Sequence, residues 1–189
     1  VPGLRSAFDG YLQRYVRVSV ADSGEAEQAV WSASPDDWES LPPGYASALL
    51  EQYKLYVEMA DRVSARRALA NAFFLTLNTS VFVLFGVFWQ QRPAVAVWWL
   101  VFPFLALVGQ CVAWYWMLRS YRQLNAAKYL VVGALEKRLP ASPYWNAEWA
   151  ALGEGKVPSR YLPLTHLEQW VPVLFGATYA GAFFTALLT

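Results

Sequence analysis

The sequence predicts an all-α, polytopic membrane protein with three transmembrane helices, N-terminus in and C-terminus out. Its first two spans extend into a cytoplasmic antiparallel helical pair. Three observations predict this. Residues 68–91, 93–118 and 169–189 contain no Asp, Glu, Lys or Arg. Each is about as long as the ~20 helical residues that cross a hydrocarbon core of ~30 Å. Charged residues make up 15% of the chain, against about 25% in soluble domains. They crowd into residues 1–67 and 119–168, so the chain alternates between two solvents. Most of the tryptophans fall at the ends of the uncharged stretches, where amphipathic rings prefer the headgroup level.

Composition excludes several function classes. A net charge of +1 supplies no basic face for nucleic acid. The one cysteine, Cys111, lies inside a span, so no internal disulfide forms and a zinc site is implausible. No metal ligand set and no cofactor are expected, apart from bound lipids. The spans carry no ionisable acid or base, which argues against a proton relay or a voltage sensor.

Residues 1–44 are expected to be a cytoplasmic segment, partly disordered with short helices. Periodicity there is confined to Tyr11–Val20. Ser34-Pro35-Asp36-Asp37 offers a cap, a proline at the first helical position and an acid three residues on. VPGLRSAFDG has no apolar run, so the first span itself is the expected targeting signal.

Residues 45–139 read as one long helical hairpin. From Tyr45, Leu49, Tyr53, Tyr56, Ala60 and Val63 recur at three- and four-residue steps, with Glu51, Lys54, Glu58, Asp61 and Arg62 on the other faces. Nothing breaks the helix at Arg67, so it continues into a span over 68–89. A second span over 94–117 follows a short turn. Its helix continues as a stripe of Leu118, Tyr121, Leu124, Leu130, Val131 and Leu135 to Leu139, and Pro140 ends it. Basic residues flanking spans stay cytoplasmic. Arg62, Arg66 and Arg67 precede the first span, and Arg119, Arg122 and Lys128 follow the second, whereas the intervening turn carries only Arg92. Trp89, Trp98 and Trp99 bracket that turn. Trp114 and Trp116 close the second span at its inner end, and Trp170 opens the third. These six are the expected interface aromatics.

Residues 140–166 are expected to form a cytoplasmic short helix and loop. Ser142-Pro143 starts a helix over Tyr144–Leu152. Gly153-Glu154-Gly155-Lys156 has the look of a phosphate-binding loop but lacks its first glycine, its Ser/Thr and a preceding strand, so it reads as a surface turn. The third span occupies 167–189. Thr165 followed by Glu168 is a capping box where the chain enters the membrane. His166 lies between them, and Pro172 interrupts the hydrogen bonding of the next turn. A His166–Glu168 catalytic pair is poorly placed, because helical residues two apart do not face each other. No catalytic residue is expected.

Polar side chains within the spans are the candidate functional residues. Asn71 and Asn78 share a face of the first span with Thr76 nearby, and Gln110 on the second reaches a similar depth. A bare amide in hydrocarbon costs several kcal/mol. Such groups either bond between helices or line a pore, and the sequence leaves both readings open. Gly176 and Ala180 are small residues spaced for close helix contact on the third span.

Three blocks carry a resemblance. They are Tyr53–Arg67 with Ala70–Thr79 (YKLYVEMADRVSARR and ANAFFLTLNT), Arg119–Tyr129 (RSYRQLNAAKY), and Tyr161–Pro172 (YLPLTHLEQWVP). These resemble the flanks of the spans in the RipA family of octameric bacterial membrane proteins, over Tyr45 to the end. The resemblance implies a homo-octamer in the bacterial cytoplasmic membrane and supplies no catalytic residues. The layout is also similar, in architecture alone, to the two-span effector modules of bacterial antiphage systems, from which the third span departs.

Two functions fit the residues. One is a ring-like, non-catalytic oligomer with channel function, in which a lining of Asn71, Asn78 and Gln110 would admit water and one of Phe73, Phe82 and Leu84 would hold lipid. The other is a structural or sensory scaffold whose cytoplasmic helices bind a soluble protein partner. Membrane lipids and further copies of the chain are the expected partners in either case.

Overall fold

The fold was analysed in a computed structural model, which describes residues 23–31, 43–91, 100–155, 157, 159–161 and 164–188. The chain divides into two units, Val1–Leu41 and Pro42–Thr189. Of the first unit, one short helix is described, α1 (Ser23–Val30). The Ser34–Asp37 start signal, the Arg92 turn, Trp98 and Trp99 lie outside the described residues.

The second unit is built from α2 (Tyr45–Gln91), α3 (Val101–Glu136), the short helix α4 (Pro143–Trp149) and α5 (Leu164–Leu188). There is no strand among the described residues. Three of these helices, α2, α3 and α5, are long and apolar enough to cross a membrane.

α2 opens from a turn that needs Gly44, whose φ of 98° lies in the left-handed region. The Ser47 hydroxyl and the Ala48 N–H both bond the Gly44 carbonyl, at 2.7 and 2.9 Å. α2 then runs without a break from the charged segment into the apolar one. Its charged half carries the pairs Lys54–Glu51 at 2.9 Å and Arg62–Glu58 at 2.6 Å, at spacings that support a solvated helix face.

α3 packs antiparallel on α2. Tyr53 meets Glu136, Lys128 lies over Tyr56, Asn71 meets Trp114, and Asn78 meets Cys111. α5 runs antiparallel to α3 and so parallel to α2. Phe183 stacks on Phe104 at 4.3 Å between centroids. Gly176 faces Cys111, and an added Cβ would sit 3.8 Å from the cysteine Cβ, in ordinary van der Waals contact. Pro172 lies inside α5 and is fully buried.

α3 ends at Glu136, three residues short of the expected Leu139. Arg138 and Leu139 instead form a tight turn on Leu135 and Glu136. The physical reason is the Glu136 carboxylate, which draws the following chain back onto the helix. Ser142 caps α4 by accepting the Asn146 N–H at 3.2 Å, with Pro143 at the first helical position. Gly153–Gly155 is a single 3-10 turn.

The apolar halves of the three long helices leave a wide hydrocarbon surface. Phe73, Leu84, Phe102, Leu105, Leu174 and Phe184 are all exposed. A surface of this kind is stable against lipid or another apolar surface and not against water.

Candidate functional site

Two polar residues of the first span, Asn71 and Asn78, are engaged inside one protomer. Asn78 is wholly buried. Its Nδ2 donates to the Phe74 carbonyl of its own helix at 2.8 Å. Its Oδ1 accepts the Tyr179 hydroxyl of α5 at 3.0 Å and the Cys111 thiol of α3 at 3.8 Å. Tyr179 also reaches the Asn78 backbone carbonyl at 3.3 Å. One amide therefore ties all three spans together about 16 Å from Arg67, close to the middle of a bilayer.

One to two turns nearer the charged end, Asn71 Oδ1 accepts the indole N–H of Trp114 at 3.0 Å. Trp114 is fully buried and stacks on Phe74 at 5.7 Å, with the ring of Phe175 of α5 tilted against it at 6.0 Å. This corrects the expectation for Trp114. Its ring faces the bundle interior, where its N–H has the Asn71 amide as acceptor and the indole packs on Phe74 and Phe175. Gln110 does not join either group. Its Nε2 is buried with no hydrogen-bond partner among the described residues. Exposed hydroxyls on α2 bond their own helix, Thr79 to the Leu75 carbonyl and Ser80 to that of Thr76, each at 2.8 Å.

A charged belt marks the level where apolar helix gives way to charged helix. Arg67 Nε of α2 stands 3.6 Å from Glu168 of α5, and Arg122 of α3 donates to Gln169 of α5 at 3.1 Å. The Arg67 Nε has an ion-pair partner at this distance but makes no hydrogen bond among the described residues. Arg119 is buried with its guanidinium 5.4 Å over the Trp116 ring. Glu168 is thus turned toward Arg67. α5 is wound from Leu164, and the side chains of Thr165, His166 and Trp89 lie outside the described residues. Trp170 is exposed. Gly176 lies against α3, and Ala180 is half-buried on the same helix.

Below the belt stands a carboxylate clasp. Glu136 is 1% exposed and accepts four hydrogen bonds: Tyr53 OH and Tyr144 N–H on Oε1, at 2.8 and 3.1 Å, and Ser142 Oγ and Trp145 N–H on Oε2, each at 2.8 Å. Burial alone would raise its pKa, but the four donors outweigh it and hold the carboxyl below the usual carboxylate range. The same contact, with burial the larger cause, pushes the Tyr53 phenol up to about 12. α4 is seated further by Tyr144 stacked on Tyr129 at 4.6 Å. Burial raises the pKa of both phenols. Trp145 packs on Gly133, where an added Cβ would come within 2.7 Å of its ring. Lys128 is buried with its ammonium 4.9 Å over the Tyr56 ring.

No group of three or more His, Cys, Asp or Glu that could hold a metal exists among the described residues. The arrangement engages Asn71 and Asn78 inside the protomer and leaves a mainly apolar surface outside, broken by the hydroxyls of Thr76, Thr79 and Ser80. A model of the octameric membrane protein family matches residues 50–188. The chain belongs to the octameric membrane protein family. No curated protein and no solved structure matches it. A member of this family is a self-associating membrane protein, and the apolar outer surface of α2, α3 and α5 fits that description. The matched region contains the mid-span cluster, the belt and the clasp, and leaves out α1.

Sequence reasoning did not identify Tyr179, Glu136 or Gly133. Tyr179 was within reach. It stands about eleven residues past Glu168, as Asn78 stands about eleven past Arg67, so with parallel helices the two share a depth. Glu136, a lone acid at the end of an apolar run, also carried a signal. Gly133 carried none.

Proposed function

We propose that eight copies of this chain form a ring-like, non-catalytic scaffold in the bacterial cytoplasmic membrane. The N-terminus and the clasp face the cytoplasm and the C-terminus faces out, as the basic residues at the belt favour. The relation to the RipA branch of the family belongs to this reading. No cofactor is required, and lipids fill the space around the spans. The observation that carries it is the inward placement of Asn71 and Asn78. Both are engaged between helices of one protomer, so neither is free to line an axis between protomers. The clasp gives the lower half a fixed shape on which a soluble partner can dock.

A channel is the second reading, and one observation favours it. Thr76, Thr79 and Ser80 form an exposed hydroxyl stripe on α2, and stripes of this kind line water-filled pores as well as helix contacts. Ion flux through purified protein in liposomes separates the two. The scaffold predicts no flux at any voltage or pH. A current that falls in Ser80→Leu would replace the scaffold with a channel.

A further inference from the structure

An open groove of about 490 Å³ runs between α2 and α3 and is lined by Arg66, Leu69, Ala70, Phe73, Phe74 and Tyr121. It crosses the level of the charged belt. Arg66 stands at its polar end. Leu69 and Phe73, one and two turns on, lie 73% and 60% exposed along its apolar end. Phe74 closes its floor and is backed by the stacked Trp114 ring.

The other arginines at this level are engaged. Arg62 bonds Glu58, Arg67 pairs with Glu168, Arg122 bonds Gln169, and Arg119 lies over Trp116. Arg66 makes no hydrogen bond or ion pair with another described residue, and its side chain is exposed. A groove with an unmatched guanidinium at headgroup depth and apolar walls running toward the bilayer centre has the chemistry of one ligand class.

We propose that this groove binds an anionic phospholipid, with its phosphate on Arg66 and one acyl chain along Leu69 and Phe73. The planar guanidinium suits a phosphate, and basic side chains at the membrane surface attract anionic lipids. The basic excess of the belt favours an anionic over a zwitterionic headgroup. This inference rests on the membrane reading of the spans and is independent of whether the ring is a scaffold or a channel.

The test is native mass spectrometry of the detergent-purified oligomer, with phosphatidylglycerol, phosphatidylcholine or inorganic phosphate added. Wild type is expected to retain phosphatidylglycerol at up to one per chain, at least fivefold more than phosphatidylcholine. Arg66→Gln reduces that retention at least fivefold, Arg66→Lys restores part of it, and Arg62→Gln leaves it unchanged. Unchanged subunit number in the variants separates lost binding from lost assembly. Equal retention in Arg66→Gln, equal binding of phosphatidylcholine, or displacement of the lipid by inorganic phosphate overturns the proposal. So does efficient disulfide cross-linking between subunits through Leu69→Cys, which would mean that a neighbouring copy fills the groove.

Discussion

The Tyr179 hydroxyl donates to Asn78 Oδ1 at 3.0 Å across 101 positions of sequence, and both residues are buried in the middle of the apolar region. This bond joins the last span to the first. With Cys111 on the same oxygen, it holds the three-helix arrangement in one register. Hydrocarbon packing alone would permit helices to slide or rotate past each other. A shared amide at one depth does not.

Asn78→Leu removes the acceptor for two buried donors. Interhelical bonds in membranes average about 0.6 kcal/mol and reach about 1.7. The buried Tyr179 hydroxyl, left with only its 3.3 Å bond to the residue 78 carbonyl, incurs part of the about 1–3 kcal/mol that a stranded polar group costs. The expected loss is about 1–3 kcal/mol in unfolding free energy, measured in bilayer-like micelles. Tyr179→Phe in the same chain recovers part of it. A loss in the double variant equal to the sum of the two single losses would show that the bond has no coupling energy.

Gln110→Met gives the opposite outcome. The Gln110 Nε2 is buried without a partner among the described residues, so replacing it with a similar apolar volume is neutral or stabilising by up to about 1–3 kcal/mol. Thermal unfolding of the oligomer checks this. A clear loss would mean that another copy of the chain supplies the missing acceptor.

Glu136 makes the clasp sensitive to acid. Its folded pKa lies below the ordinary 4.5, so its contribution is fully present above that value and is lost as pH falls through the folded pKa. Tyr53 behaves oppositely. Its pKa is raised from 10.0 to about 12, so its share is present below pH 10 and is lost as pH rises toward 12. Unfolding followed by tryptophan fluorescence should therefore fall off at both ends. Glu136→Gln should flatten the acid limb. An unchanged acid limb in that variant would assign the acid sensitivity to another group.

Gly133→Ala tests the seat of α4. The added Cβ would lie 2.7 Å from Trp145 Cε3 and 2.8 Å from Cδ2, and the Trp145 backbone is itself anchored by its N–H on Glu136. Overpacking of this kind costs about 1–3 kcal/mol. Limited proteolysis should open residues 140–160 in the variant, and Trp145→Leu in the same chain should close them again. Wild-type resistance in Gly133→Ala would show that the site tolerates the extra carbon.

The three long helices were legible because a lack of charge over a bilayer's thickness is a one-dimensional property. The continuity of α2 through Arg67 was legible for the same reason, since no breaker intervenes. Partners were harder to read. Asn78 announced that it needs a bond, but a single sequence does not say whether Tyr179, Gln110 or a second copy provides it. Trp114 looked like a headgroup ring because its neighbours are aromatic, and only the position of Asn71 on the facing helix turns it inward. The early end of α3 depends on four donors from residues 53 and 142–145 meeting one carboxylate, which is a tertiary event. Gly133 is required by the ring of Trp145, and nothing local to it signals that contact.

The central claim is that each protomer satisfies its own Asn71 and Asn78 amides and presents a mainly apolar face to lipid and to its neighbours. A particle reconstruction in lipid nanodiscs tests it most directly. The expected result is eight subunits, each with Asn78 enclosed among α2, α3 and α5, around an axis with no continuous water column. An aqueous path lined by Asn71 and Asn78 of neighbouring subunits would contradict the account.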